Sequence, residues 1–382
     1  MNDATTVSGA IGLSRRQFVV AGAALAAMAG LTGTRALAAD GEVAVPTSSL
    51  ADGRAASSAG SDSALDFAKL DGRTDEDKNR GLAFPFTLTQ WDGDGNEFTQ
   101  TYEAAPSAVC AFSGSSANEL VDLGLGDRLV GVMQGRYDAD KLQPYLDGIG
   151  TFDTNSTQSA EAVVATGADL VIGPQRVFYA SKNTGAQSYN DLGLHIYSQI
   201  TQAPQGKGNP TLGGIIEDYE NVAAIAGASD AAEDVVADLE RRLVAIRDLV
   251  EDKFDASHQQ GVLMMTSLKD GTFVTFGAAH GAALQFNFLE AAGARMVETE
   301  AKQNLTYENL VKYNPDLIIY ITITDAAEGE ATQTLLGEPT LASVPAIQGK
   351  RIVEVDYNSW MDPSPSTFDA AEKVLAALYP QA

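Results

Sequence analysis

One pattern occurs twice in this chain, and it constrains the fold more than any other feature. Ser159-Ala-Glu161-Ala-Val-Val-Ala-Thr-Gly-Ala-Asp169-Leu-Val-Ile runs in step with Thr306-Tyr-Glu308-Asn-Leu-Val-Lys-Tyr-Asn-Pro-Asp316-Leu-Ile-Ile. In each copy a hydroxyl residue suited to an N-cap stands two places before a first-turn glutamate. In each copy an aspartate, eight places after that glutamate, opens a wholly apolar run. A short helix feeding an apolar strand is half of a βα unit, and strands of that kind belong to parallel sheets covered on both faces. Two well-separated copies predict an α/β protein of two similar lobes. A fainter pair, Leu125-Gly126-Asp127-Arg128-Leu129-Val130 and Ala292-Gly293-Ala294-Arg295-Met296-Val297, points the same way. The competing reading is chance recurrence of a common βα pattern.

Strand and helix patterns alternate from Ala108 onward. Residues 109–112 read as a strand, 118–125 as a helix, 129–132 as a strand, 160–166 as a helix and 169–172 as a strand. Ahead of them, 84–89 and 97–102 alternate apolar with polar residues around Asp92-Gly93-Asp94-Gly95, which predicts a β-hairpin. Asp92, Asp94, Asn96 and Glu103 partly fit a calcium loop. Glu97 stands where that loop needs its turning glycine, and the flanks are strand-like, so calcium is disfavoured. A helical region over 215–254 carries Leu239, Leu243, Ile246 and Val250 at three- and four-residue spacing. Gly227-Ala228-Ser229-Asp230 interrupts it. Strands resume at 262–265.

The ends set the expected address. Arg15-Arg16 precedes an uncharged segment, 18–31, and Ala36-Leu37-Ala38 offers small residues for cleavage. Residues 1–38 are expected to be a twin-arginine signal peptide, too short in its apolar part for a membrane span of ~20 residues. Residues 39–82 are expected to be a disordered linker, with one short helix at most over 65–81. No cysteine lies near the cleavage site, so lipid anchoring is not expected. The expected location is the periplasm or the cell surface. Cys110 is the single cysteine, which excludes an internal disulfide and a thiolate metal or iron–sulfur site. Loss of Arg15, Arg16, Arg35 and Asp3, a net +2, would take the formal charge from −26 to −28. Such a surface repels nucleic acid and anionic lipid.

Taken in order, the leading hairpin, Pro106-Ser107-Ala108-Val109, Ser116-Ala-Asn-Glu-Leu-Val-Asp-Leu-Gly-Leu, the paired Glu161/Asp169 and Glu308/Asp316 segments, Ile347-Gln-Gly-Lys-Arg-Ile-Val and Ala377-Leu-Tyr-Pro carry a resemblance. Over about residues 84–380 the chain resembles the helical-backbone solute-binding proteins of ABC importers for iron siderophores, haem and vitamin B12. The resemblance implies an N-terminal lobe (83–212), a connecting helical region (213–256) with one long rigid helix near 231–254, and a C-terminal lobe (257–382). It places mainly parallel sheets in the lobes and a ligand cleft between them. It implies a monomeric carrier with no catalysis and no permanent cofactor, whose cargo is an iron chelate, haem or cobalamin and whose partner is an ABC permease. Glu161 and Glu308 fall where such proteins dock on the permease. First-turn glutamates that only complement a helix dipole are the plainer reading. Many relatives carry Gly-Pro-Arg where this chain has Asp362-Pro363-Ser364-Pro365-Ser366.

Ligands of open α/β sheets bind beyond the carboxyl ends of the strands. That rule selects Ser115, Arg136, Tyr137, Arg176, Tyr179, His280, Tyr357 and Trp360. Guanidinium groups suit carboxylate, catecholate and hydroxamate oxygens, and the aromatic residues can pack against a large guest. His280 can ligate iron or be an ordinary loop residue, and the two arginines can serve only to balance nearby acids. A metal-ion carrier is disfavoured for want of ligands at metal spacing. An exported hydrolase is the alternative of another class, but Gly114-Ser115-Ser116-Ala117-Asn118 lacks the final glycine of a nucleophile elbow.

Overall fold

The computed structural model describes residues 65–78, 81–133, 139–152, 159–182, 184–203, 207–323 and 329–380. The expected signal peptide and residues 39–64 lie outside them.

The leading hairpin forms as its alternation requires. Strand β1 (Phe86–Trp91) buries Phe86, Leu88 and Gln90 and exposes Thr87 and Thr89. It pairs antiparallel with β2 (Glu97–Tyr102), Phe86 opposite Tyr102 and Trp91 opposite Glu97. Asp92 closes the turn, its Oδ1 accepting the N–H groups of Asp94 at 2.9 Å and Asn96 at 2.8 Å. Gly95 sits at φ +82°, where a side chain would be strained. The carboxylate that heads the calcium-like pattern is thus engaged by its own backbone. Among the described residues no cluster of three or more His, Cys, Asp or Glu is suited to a metal.

The first sheet orders its strands β5-β4-β3-β6-β7, with β3 (Val109–Ala111), β4 (Leu129–Met133), β5 (Gly150–Phe152), β6 (Leu170–Pro174) and β7 (His195–Gln199) all parallel. Strands β3 and β6 are buried at every position, which is why they read as unbroken apolar runs. The hairpin leans on β7: Tyr102 donates to Ile196 O at 2.7 Å, and Ser198 N donates to Gln90 at 2.6 Å. Cys110 is buried in this core, and burial pushes its thiol up to about 11. Helix α1 (Gly114–Asp122) begins four residues before the predicted helix. Ser113 caps it, accepting the N–H of Ser116 at 3.0 Å. Helix α2 (Ala160–Val164) precedes β6.

The predicted 215–254 region is two helices, α3 (Leu212–Ile225) and α4 (Glu233–Lys253). Gly227, at φ +63°, turns the chain between them. Leu239, Leu243, Ile246 and Val250 are the buried stripe of α4, as their spacing predicts. At 21 residues, α4 is about 31 Å long.

The second sheet contains β8 (Gly261–Lys269), β9 (Thr272–Thr275), β10 (Arg295–Met296), β11 (Leu305–Thr306), β12 (Leu317–Thr322) and β13 (Ile352–Asp356). Its path is β11-β9-β8-β12-β13, with β10 paired to β8. Strands β8, β10, β12 and β13 are parallel, and β9 and β11 add antiparallel edges. The order β10-β8-β12-β13 repeats β4-β3-β6-β7 of the first sheet, so the sequence echo is a structural one. Helix α5 (Ala283–Ala291) leads toward β10, and α6 (Tyr307–Tyr313) precedes β12 as α2 precedes β6. The divergent Asp362–Ser366 segment starts α7 (Pro365–Leu378), with Ser364 and Thr367 forming a capping box. Arg242 of α4 pairs with Asp369 at 2.6 Å and Glu372 at 2.7 Å, tying the connecting helix to α7.

Residues 65–78 correct the linker expectation. Leu70 is 2% exposed and Arg73 8%. Leu70 O accepts the N–H of Gly213 at 3.1 Å, and Asp71 O accepts the Thr211 hydroxyl at 2.6 Å. Arg73 pairs with Asp71 at 2.7 Å and reaches Glu240 of α4 at 3.3 Å, and Lys69 pairs with Glu290 of α5. Burial alone would raise the Asp71 carboxyl, but its bonds to Lys78 and Arg73 outweigh that and hold it below its ordinary value. The segment is a strap across the connecting helices and α5. One anchoring leucine among charges leaves no periodicity to detect.

Candidate functional site

The carboxyl ends of β3, β6 and β7 meet in one polar cluster. After β3 the chain turns at Ser113, whose Oγ lies 2.9 Å from Ser115 Oγ and 2.6 Å from Ser116 Oγ. Ser116 donates to Gln199 Oε1 at 3.0 Å, at the end of β7. Gln202, just beyond β7, reaches Gln199 Oε1 at 3.3 Å and Ser115 Oγ at 3.5 Å. Arg176, beyond β6, donates to Gln202 Oε1 at 2.5 Å. Arg176 is exposed and Ser115 is buried, so the chain of bonds runs inward from a surface cation.

The inner end is acidic. Gln199 Nε2 donates to Glu119 Oε2 at 3.2 Å, and Glu119 Oε1 is buried without a hydrogen-bond partner. Burial pushes the Glu119 carboxyl well above its ordinary value, and the charges of Asp218 and Asp122 push the same way. Asp218 accepts four bonds, from Tyr197 OH (2.6 Å), Ile200 N (2.9 Å), Thr201 N (3.2 Å) and Thr201 Oγ1 (2.5 Å). Burial raises the Asp218 carboxyl as well, but these donors favour its anion and oppose that rise. Asp122, farther out, accepts Tyr219 OH at 2.8 Å.

Of the residues selected from sequence, Ser115 and Arg176 join this cluster. Tyr179 stands on the same loop as Arg176, half-buried, with Lys182 Nζ 3.9 Å from its ring centroid. Arg136 and Tyr137 lie outside the described residues. His280 ends a short turn, Ala278–His280, at the second sheet. Tyr357 is 7% exposed at the end of β13. Trp360 is a correction: it is fully enclosed, edge-on to Phe288 with centroids 5.7 Å apart, and its indole N–H meets Met264 Sδ at 3.4 Å. It turns inward on a helical turn capped by Asp356 and packs the core. Glu161 and Glu308 are both exposed, in the first turns of α2 and α6. Glu119, on α1, is buried. Glu290 is exposed but paired with Lys69.

Gln199, Gln202, Glu119 and Asp218 were not singled out from sequence. The readable signal for the two glutamines was the apolar run before Ser198, a strand whose carboxyl end they follow. Ser115 and Ser116 have only serine and glutamine partners here, with no base beside them. His258 bonds to Asp255 on the surface, and His195 lies 6.0 Å from the Tyr102 ring. The described residues therefore assemble no hydrolase triad.

Comparison with known proteins decides the family. The model of the family described as periplasmic binding protein matches residues 109–358. The chain belongs to the periplasmic binding protein family. A cobalamin-binding protein of Halobacterium salinarum is 24% identical over 309 residues, covering 79% of this chain and 76% of the relative. A periplasmic binding protein from Veillonella parvula superposes with a TM-score of 0.63 at 20% identity, covering 78% of this chain and 92% of its own. An ABC-type Fe3+-hydroxamate transport protein from Saccharomonospora viridis gives a TM-score of 0.57 at 18% identity, covering 78% and 99%. As a periplasmic binding protein the chain works outside the cytoplasm as a substrate-binding component of an ABC transporter, and its task is binding rather than catalysis. No described helix is long and apolar enough to cross a membrane.

Proposed function

We propose that this periplasmic binding protein captures an iron(III) chelate, a siderophore or haem, between its two lobes and hands it to an ABC importer. The observation that carries this reading is the Arg176–Gln202–Ser115 set at the carboxyl ends of β3, β6 and β7. A planar guanidinium backed by neutral donors suits hydroxamate, catecholate or propionate oxygens. The Fe3+-hydroxamate protein with the same fold supports it. Cobalamin is the second reading, favoured by the Halobacterium salinarum relative. The cargo visits and leaves, so no permanent cofactor is required, and the carrier acts as a monomer.

Delivery rests on Glu161 and Glu308, one exposed carboxylate per lobe, each placed to meet a permease arginine. Residues 83–212 and 257–382 form the lobes and 213–256 the connection, stiffened by the ion pairs between α4 and α7. Export runs by the twin-arginine route through residues 1–38.

Tryptophan-fluorescence titration of the purified protein with a ferric hydroxamate, haemin and cyanocobalamin tests the reading. One class binds at micromolar Kd or tighter; no response to any of the three contradicts it.

A further inference from the structure

The Asp92-Gly93-Asp94-Gly95 motif holds more than its own turn. Asp94 reaches across to the loop that follows β6. Its Oδ2 accepts Ser181 N at 2.8 Å and its Oδ1 accepts Ser181 Oγ at 2.7 Å. Gly93 N donates to Phe178 O at 2.6 Å. The Tyr179 ring lies flush against Gly93, where an added Cβ would stand 2.6 Å from a ring atom. Lys182 Nζ lies over the ring at 3.9 Å from its centroid. Within the loop, Tyr179 N donates to Thr184 Oγ1 at 3.1 Å and Thr184 N returns a bond to Tyr179 O at 3.0 Å. The segment carrying Arg176 and Tyr179 is therefore fixed from outside, by a hairpin that precedes its sheet in sequence and leans on β7.

We infer that the β1–β2 turn is a positioning element for the cargo loop, with Asp94 and Gly93 setting where Arg176 and Tyr179 stand. This rests on the reading that the Arg176 loop meets the cargo. A loop ordered before binding spares the guest the entropy of ordering it, and a binding residue is only as well placed as the groups that support it. Neither Asp94 nor Gly93 needs to touch the cargo. The clamp uses two acceptor oxygens, one backbone N–H and the absence of one Cβ. It explains a glycine at a position whose φ is not in the left-handed region, where the backbone alone does not demand one. The aspartates that resembled a calcium loop thus bind the protein's own backbone.

The test uses Asp94→Ala, Asp94→Asn and Gly93→Ala in the full mature chain. Each is titrated with the ferric hydroxamate, haemin and cyanocobalamin, and each has its Tm and amide exchange measured. Asp94→Ala and Gly93→Ala are expected to weaken the wild-type cargo about tenfold, with Tm shifted by no more than about 2 °C, as for other surface changes. Asp94→Asn, which keeps one acceptor oxygen, is expected to recover most of the affinity. The amides of Gly93 and Ser181 are expected to exchange faster in Asp94→Ala even without cargo. Wild-type affinity in both alanine variants overturns the inference. If the wild-type protein binds none of the three probes, the cargo reading is what fails, and unchanged exchange at Ser181 in Asp94→Ala then overturns the clamp on its own.

Discussion

Asp169 and Asp316 do the same work in the two halves of this protein: each carboxylate accepts the backbone N–H that starts the neighbouring central strand. Asp169 Oδ1 takes Ala108 N at 3.0 Å, just ahead of β3, and Asp316 Oδ2 takes Gly261 N at 2.7 Å, the first residue of β8. Each returns its own N–H to the same place, to Ala108 O at 2.9 Å and Gly261 O at 2.7 Å. The pair marks the amino ends of both sheets and fixes the register of β6 on β3 and of β12 on β8. The proposed ligand side is the opposite, carboxyl edge.

Removing either carboxylate takes the partner from a part-buried strand-start amide, Ala108 N or Gly261 N. Asp169→Ala and Asp316→Ala are each expected to cost about 2 kcal/mol, in the range of hydrogen bonds to a charged group. Asp169 also holds Ser107 N at 2.8 Å, so its loss is expected to be the larger. Urea titration measures both. A cost below about 0.5 kcal/mol, the level of an ordinary surface change, would show that these carboxylates do not fix the strands.

Glu119 gives stability a pH dependence. Its folded value is raised by burial and by the charges of Asp218 and Asp122, so the folded chain holds a proton that the unfolded chain releases above the ordinary carboxylate range. The stability this lends is full in acid, declines as pH climbs from that range toward the raised value, and is gone beyond it. Glu119→Gln removes this slope. Its Tm advantage over the wild type is expected to grow with pH from about 5 upward, starting above the unfolded carboxylate pKa of about 4.3. A difference independent of pH would mean that Glu119 is ionised in the fold.

Docking is tested by charge. Glu161→Lys with Glu308→Lys is expected to abolish uptake of labelled cargo by cells while cargo affinity stays within about twofold, since both side chains are exposed and make no bond to the polar cluster among the described residues, and rim charges act on the partner. Normal uptake by the double variant would remove the docking role and leave only the helix-dipole role.

The strap makes a structural prediction. Leu70→Ala is expected to destabilise by about 2–3 kcal/mol, as truncation of a buried leucine does. A linker residue would cost nothing, and urea titration separates the two.

Where local pattern and tertiary role coincide, the fold was readable. Phe86–Trp91 alternates because one face meets β7, and Leu170–Ile172 is apolar because both faces are covered. Leu239, Leu243, Ile246 and Val250 repeat because one stripe of α4 is buried. Ser115 and Arg176 were reachable because carboxyl ends of parallel strands gather ligand groups. The remainder depended on which way a side chain turns. Trp360 follows a strand end yet points into the core, and Glu119 faces inward from α1. Leu70 is the one fully buried apolar side chain of a strap otherwise held by polar contacts. Gln199 and Gln202 come together with Ser116 only through sheet order, which no local spacing encodes.

The central claim is that cargo is held at the carboxyl edge of the first sheet. Amide hydrogen exchange, measured with and without whichever of the ferric hydroxamate, haemin and cyanocobalamin binds, tests it most directly. Protection is predicted at residues 113–116, 175–182 and 199–202, with no change at the Asp169 and Asp316 edges. Protection confined to those amino edges, or none at the carboxyl-edge loops, would contradict the account.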